Sequence, residues 1–366
     1  MTKVYVSNVY ANSQLTFINN KNIISIDCNY VSWVNNTMSN AFRNCSNLVS
    51  VSNINENVTD MRNTFSNCCS LVNAPEIPNS VIDMWETFNN CYNLINAPVI
   101  PNSVIRMVNT FNNCCSLVNA PVIHNGVTDM NGTFRYCRNL VNAPVIPNSV
   151  TDMSDTFYRC WNLVNSPVIP NSVTNMSSTF GYCYNLVNAP IIPNSVTDMY
   201  RAFYSCSGLV NAPDIPNSVV DMSASFCYCS NLVNAPDIPN SVTKMYVTFG
   251  YCYNLVNVPV IPNSVTNMYQ TFCYCHNLVN APNIGNSVSY IGRTFYNCSN
   301  LTGNIYIQSE NITDAYQCFH GSSLTKNVYI PYTYENGVNT KTYNSFISAG
   351  YDENGTTNGV YLKNIN

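Results

Sequence analysis

The sequence predicts a repeat solenoid of 23-residue coils, with one short parallel strand in each coil and a cap at both ends. Three observations carry this. Phe recurs at positions 42, 65, 88, 111, 134, 157, 180, 203, 226, 249, 272 and 295, an unbroken spacing of 23. Each Phe is followed three residues later by Cys (Cys45 to Cys298) and six later by Leu (Leu48 to Leu301). Met precedes it by four from Met38 to Met268, with Ile291 in the last place. A unit this small cannot bury a core alone, whereas stacked units close one shared core.

Residues 1–35 read as an N-terminal cap, because Val4 and Val6, then Ile24 and Ile26, alternate as in a strand and Trp33 supplies bulk. Residues 36–302 hold twelve repeats of V-T-D-M-x-x-T-F-x-x-C-x-N-L-V-N-A-P-x-I-P-N-S. Prolines such as Pro144 and Pro147 exclude a helix after Leu, so a short strand there and a Pro-Asn-Ser turn are expected. The Met-to-Cys spacing fits a single helical or 3₁₀ turn. Residues 303–366 begin with a degenerate coil, marked by Ile312-Thr313-Asp314, Phe319, Leu324 and Ile330-Pro331. A cap of hairpins is expected beyond it, turning at Asn336-Gly337 and Asn354-Gly355.

This Met/Phe/Cys/Leu unit resembles the BspA-type leucine-rich repeats, in particular the related V-T-D-M…F-x-x-C-x-x-L repeats of bacterial surface proteins. The strand departs from the usual L-x-x-I-x-I-P: here it is L-V-N-A-P-V-I-P, longer by one residue and with an internal Pro. The resemblance implies a leucine-rich-repeat fold with a parallel sheet on one side, and adhesion or recognition as its role. The closing Y-N-S-F-x-x-A-G-Y…N-G-V-Y-L run is similar to closing segments of bacteriophage tail proteins.

Composition narrows the function classes. Charged residues make up 9% of the 366, far below the roughly 25% usual for globular proteins. With a net charge of −4 and no basic run, no nucleic-acid partner is expected. No apolar run reaches the length of a membrane span or a secretory signal. Of the 18 cysteines, twelve lie on the repeat ladder, where in-register side chains point the same way and do not converge as a disulfide requires. They are expected to be reduced packing residues. Cys273-Tyr274-Cys275-His276 lacks zinc spacing, and no metal or other cofactor is expected.

Comparing coils shows where the unit varies. The columns of Met, Phe, Cys, Leu and Val are constant, as a core demands, and the Asn column from Asn73 to Asn280 suggests an amide ladder. Aromatic residues collect at variable positions. After Met stand Trp85, Tyr200, Tyr246 and Tyr269. Before Cys stand Tyr136, Tyr182, Tyr228, Tyr251 and Tyr274, and after it Tyr92, Trp161, Tyr184 and Tyr253. Such rings form either a ligand surface, since rigid aromatics among Asn, Ser and Gly suit recognition, or a set of self-stacked rings that stiffens the array. The Asp column before Met is interrupted by Arg106, Asn175, Lys244 and Asn267, which relieves like charge. One carboxylate column also offers too few oxygens for calcium. No His has a nucleophile at a catalytic spacing, so no enzyme is expected. The first reading is a phage tail or virion-associated protein contacting a host surface; the alternatives are a bacterial surface adhesin and an intracellular scaffold. Partners would be a host-surface glycan or protein and neighbouring virion or surface proteins.

Overall fold

The structure, a computed structural model, describes residues 17–29, 31, 33–322, 326–331, 340–357 and 359–365. The chain forms two compact units, Met1–Leu186 and Val187–Asn366. Each is built from the same coil, with successive coils in parallel register.

The stretch from Met to Cys corrects the expectation of a helical or 3₁₀ turn. In one coil of the first unit, Thr64 and Cys68 donate N–H to Met61 O and Phe65 O at 3.1 and 2.9 Å. The intervening amides point out of the coil instead: Asn63 and Phe65 donate to Trp85 O and Thr87 O of the next coil at 2.9 and 2.8 Å. Asn63 and Asn67 make this possible with left-handed φ of 55° and 63°. Corresponding residues, two after Met and two after Phe, are left-handed in coil after coil of both units. A regular helix cannot pass through such residues, so the segment is a series of tight turns, each reset by one of them.

The Asp column has a local reason as well. Each carboxylate accepts the amide two residues on: Asp83 from Trp85 and Asp129 from Asn131, both at 2.9 Å. Asn175 does the same for Ser177 at 2.9 Å, which explains why Asn can replace Asp. This is an Asx turn, and it re-aims the chain into Met. The basic interruptions do lie against acid: Arg106 Nη1 is 3.3 Å from Asp83 and Lys244 Nζ 3.4 Å from Asp221. Both pairs are solvated and contribute little.

Where one strand per coil is expected near Leu, there are two one-residue parallel ladders in each unit. In the first unit, one joins Asn73, Asn96, Asn119, Asn142 and Asn165, and the other runs along the Asp column. Pairing cannot lengthen after Asn because Pro follows two residues on and has no N–H. Where Pro is absent, strands do form. β1 (Ser25–Asp27) pairs in parallel with β2 (Ser50–Ser52) in the first unit. In the second unit, β3 (Ile305–Tyr306), β4 (Lys326–Ile330) and β5 (Val360–Asn364) form a parallel sheet in that order.

The core is a set of columns. Val, Met, Phe, Cys and Leu are buried in each regular coil. Phe rings stack on their counterparts, as Phe88 on Phe111 at 5.6 Å and 1°. Small polar residues sew the coils together. Thr87 Oγ1 donates to Met61 O at 2.9 Å, Cys91 Sγ to Phe65 O at 3.1 Å, and Ser103 Oγ to Val81 O at 2.6 Å. Asn96 Nδ2 donates to Asn73 Oδ1 at 3.1 Å, an amide ladder in the column where one is expected.

At the start of the first unit, Phe17 stacks on Phe42 at 5.3 Å and Trp33 meets the same ring edge-on at 6.1 Å. Val4 and Val6 lie outside the described residues. The C-terminal segment departs from the hairpin expectation. It forms a helix, α1 (Lys341–Ser348), followed by β5, which pairs in parallel with β4. Thr340 caps α1, accepting from Tyr343 N at 3.2 Å, and Phe346 and Tyr351 close over Phe319. Gly355 does turn, with φ 71°, whereas Asn336-Gly337 and Leu324 lie outside the described residues.

Candidate functional site

The site grows out of the left-handed position two residues after Phe. Early coils of the first unit fill it with Asn, which tolerates that backbone and forms a ladder. Asn90 Nδ2 donates to Asn67 Oδ1 at 2.7 Å and Asn113 Nδ2 to Asn90 Oδ1 at 2.8 Å. Later coils carry Tyr136, Arg159 and Tyr182 there, and the second unit carries Tyr228, Tyr251 and Tyr274. These six hold φ between 59° and 63°. A left-handed residue with a Cβ costs on the order of 1–2 kcal/mol. The backbone is therefore satisfied by Asn, and the bulky residues sit there against its preference.

In the first unit the rings interleave with arginine. The Arg159 guanidinium lies 4.7 Å from the Tyr182 ring centroid and 5.1 Å from that of Tyr136. Arg135 lies 5.1 Å from Tyr158, and Arg138 covers Trp161 at 4.4 Å. Trp161 continues to Tyr184 at 6.1 Å, and Tyr184 meets Tyr182 at 6.2 Å. Burial pushes the Tyr158 hydroxyl up, and it stays protonated as a donor.

In the second unit the rings stack on one another. Tyr228 and Tyr251 are 4.2 Å apart and 8° from parallel, and Tyr251 and Tyr274 are 4.5 Å apart. Burial first, then contact between their hydroxyls, pushes Tyr251 upward. Tyr253 lies on His276 at 5.1 Å, and Tyr246 on Tyr269 at 5.6 Å. Arg201 covers Tyr200 at 5.2 Å. Each of the thirteen aromatic residues read from the sequence is exposed or half-buried. Trp85 and Tyr92 stand apart, with no ring contact among the described residues. Sequence reasoning missed Arg135, Tyr158 and Arg159, although Arg159 occupies the same column, Arg135 and Tyr158 stand one residue before it, and all three vary between coils as the named residues do.

A second feature also went unread. The residue between Pro and Ile in A-P-x-I-P is Val99, Val122, Val145 and Val168 in successive coils of the first unit, and these are 71–87% exposed. Prolines flank the row and line a cavity of about 440 Å³ with Val145 and Val168. The same position holds Glu76, Asp214 and Asp237 elsewhere, so its backbone has no need of an apolar residue. Val145→Asp is accordingly expected to change unfolding free energy by no more than ~0.5 kcal/mol in denaturant titration. A larger loss would show that the row is structural.

Thiol chemistry has no footing in the columns. All 18 cysteines are free and sixteen are buried. Burial pushes the Cys28 and Cys273 thiols up to about 12, so both are protonated and poor nucleophiles. Among the described residues no cluster of three His, Cys, Asp or Glu could hold a metal ion, and no helix is long and apolar enough to cross a membrane.

The fold has known counterparts. A leucine-rich repeat protein from Bacteroides ovatus ATCC 8483 superimposes with a TM-score of 0.72 at 22% identity, covering 99% of this chain and 92% of that one. A leucine rich cell surface protein from Faecalibacterium prausnitzii A2-165 gives 0.53 at 21% identity, covering 84% and 83%. No curated protein matches the chain. A family profile, the BspA type leucine rich repeat region of six copies, matches residues 11–141, 62–187, 105–233, 152–279 and 222–346 in overlapping stretches. With the profile spanning most of the sequence and the repeat geometry beneath it, the chain belongs to the BspA-type leucine-rich repeat family.

Proposed function

We propose that this chain is a non-enzymatic recognition module, displayed on the outside of a cell or particle, that holds a surface glycan through its aromatic columns. The observation that carries this is the replacement of Asn by Tyr at left-handed positions. Strain retained where a relaxed residue is available points to a use for the side chain itself. The rings offer apolar faces beside hydroxyl and amide groups, which suits the alternating C–H and O–H surfaces of a sugar. Self-stacking accounts for part of each ring's burial, but Tyr184, Tyr246 and Tyr253 keep 38–44% of their surface in solvent.

A bacterial surface is the preferred setting, supported by the family and by the likeness to a cell surface protein. The virion setting, expected first from the closing Y-N-S-F segment, the reduced cysteines and the lack of a signal-like run, finds no support in the family or in the similar solved structures. Protease treatment of intact cells is expected to remove the protein. Its presence in purified phage particles, with none on cells, would replace the preferred setting with the second.

Tyr251→Asn tests the site. Asn offsets part of the roughly 1–2 kcal/mol that the left-handed backbone costs, while losing two ring stacks removes ~0.5–1.5 kcal/mol each. Stability is therefore expected to fall by less than ~3 kcal/mol. Binding on a glycan array is expected to fall at least tenfold for the sugars the parent retains. Unchanged binding would remove this column as the site.

A further inference from the structure

Guanidinium groups lie on rings in both units, Arg201 on Tyr200 and Tyr204 and Arg293 on Tyr296 and Tyr316 in the second, but the first unit carries three of them in neighbouring columns. In the first unit the Arg135 and Arg159 guanidinium groups share the rings of Tyr136 and Tyr158, and Arg138 lies on Trp161, which continues through Tyr184 to Tyr182, in a chain with only 14 Lys and Arg. None of them takes part in an ion pair among the described residues, whereas Arg62, Arg106 and Lys244 each lie against an Asp. They lie on rings instead, at 4.4–5.7 Å from the centroids. The Nε of all three, and Trp161 Nε1 beside them, are buried without a hydrogen-bond partner. These donors are unmet within the protein, the Arg159 guanidinium being otherwise hydrogen-bonded to Tyr158 and Tyr182, so a ligand would meet the solvent-facing guanidinium edges. Two unmet acceptors, Asn89 and Asn112 Oδ1, occur in the preceding coils of the Arg135 column. Asp155 is the nearby acid: burial pushes its carboxyl up and Arg135 pulls it down, and among the described residues it forms no ion pair within 4.0 Å. The stacked tyrosines of the second unit, Tyr228, Tyr251 and Tyr274, carry no arginine within their column.

We propose that the Arg135–Arg138–Arg159 cluster is a subsite for an acidic sugar, its carboxylate or sulfate held by the guanidinium edges while the ring packs on Tyr182 and Trp161. This rests on the glycan reading of the aromatic columns and adds the charge of the ligand. Arginine suits the task because its planar group keeps one face on an aromatic ring while its edge donates to an oxyanion. A single-stranded nucleic acid could use the same groups. With a net charge of −4 and only 14 Lys and Arg, the chain offers no basic track along a nucleic-acid backbone.

Calorimetric titration of the full chain with oligogalacturonate, its methyl ester, a sulfated galactan oligosaccharide and an oligothymidylate tests the proposal. One of the two acidic sugars is expected to bind at least tenfold tighter than the neutral ester. Which of them does so identifies the carboxylate or the sulfate as the source. Arg138→Gln and Arg159→Gln are each expected to weaken that binding at least tenfold. Arg138→Lys, which keeps the charge without the planar face, is expected to recover only part and serves if the Gln variants fail to fold. Equal binding of acid and ester, variants that bind as the parent does, or tighter binding of oligothymidylate would each overturn the proposal. Tyr251→Asn separates the two readings. Loss of neutral-sugar binding there, with no acidic preference in the parent, would leave the glycan reading standing and this one refuted.

Discussion

Raising the pH of the reduced protein from 8 to 10 is expected to unfold it, well below the pH at which most of its fold has any other reason to fail. The cause is the cysteine column. An unfolded thiol ionises near 8.5, whereas burial pushes Cys91, Cys114, Cys137 and Cys160 far above that value in the folded chain. Below about pH 8.5 both states keep the proton, and the contribution to stability is fully present. Above it the unfolded chain releases protons that the folded chain retains, so each thiol removes about 1.4 kcal/mol per pH unit until the folded value is reached. These four alone remove about 5 kcal/mol per unit, a large part of the 5–15 kcal/mol that holds a typical domain folded. Circular dichroism and thiolate absorbance should change together between about pH 9 and 10. Thiolate absorbance appearing in full at pH 9.5, with the dichroism intact, would show that the column is accessible and the argument wrong. The same linkage leaves the contribution of the sulfur ladder to stability complete only below about pH 8.5.

Truncation of one core ring is expected to be nearly as damaging. Phe157 is buried between Phe134 and Phe180, at 5.8 and 5.7 Å with interplanar angles of 5° and 10°. Phe157→Ala removes two stacks and leaves a cavity whose walls are pinned on both sides by hydrogen bonds between coils. Thr156 Oγ1 donates to Met130 O and Thr179 Oγ1 to Met153 O, both at 2.9 Å, so the coils cannot collapse inward. A loss of about 3–5 kcal/mol is expected, at the full end of the range for a large-to-small change. In a repeat array the damage falls on the neighbouring coils first, so amide exchange should accelerate around residues 134–180 before it does elsewhere. A loss under about 1 kcal/mol would mean that the ring column is not what holds the coils. Read together with Val145→Asp, the pair contrasts a buried apolar column that the fold requires with an exposed one that it does not.

The 23-residue register, the stacked coil and the identity of the core columns were legible in the residues alone. Spacing decides them: Met, Phe, Cys and Leu are constant because each meets its own counterpart one coil away, and a change in one coil opens a gap in two others. The reduced state of the cysteines followed from the same geometry, since in-register side chains do not converge. The aromatic residues could be named for a similar reason, as variation among coils marks positions that do not face the core.

Backbone conformation was the part that only folding in three dimensions settled. Nothing in Met-x-x-x-Phe distinguishes a helical turn from turns broken by left-handed residues. The choice depends on alternate amides reaching the next coil, an interaction absent from any single repeat. The same holds for Asp60, Asp83 and Asp129, whose spacing suggested charge relief while their carboxylates cap turns. A second parallel ladder accompanies the expected one near Leu, because Pro98 and its counterparts end pairing after Asn and the turn before Met begins it again. The C-terminal cap became a helix and a parallel strand since Phe346 and Tyr351 can cover the last ring, Phe319, only by packing across it. Most consequential for function, Arg135 and Arg159 come from different coils, and a pattern of 23 cannot say that their guanidinium groups share the faces of Tyr136 and Tyr158. Periodicity reports which side chains recur, while the handedness of the backbone between them decides which ones meet.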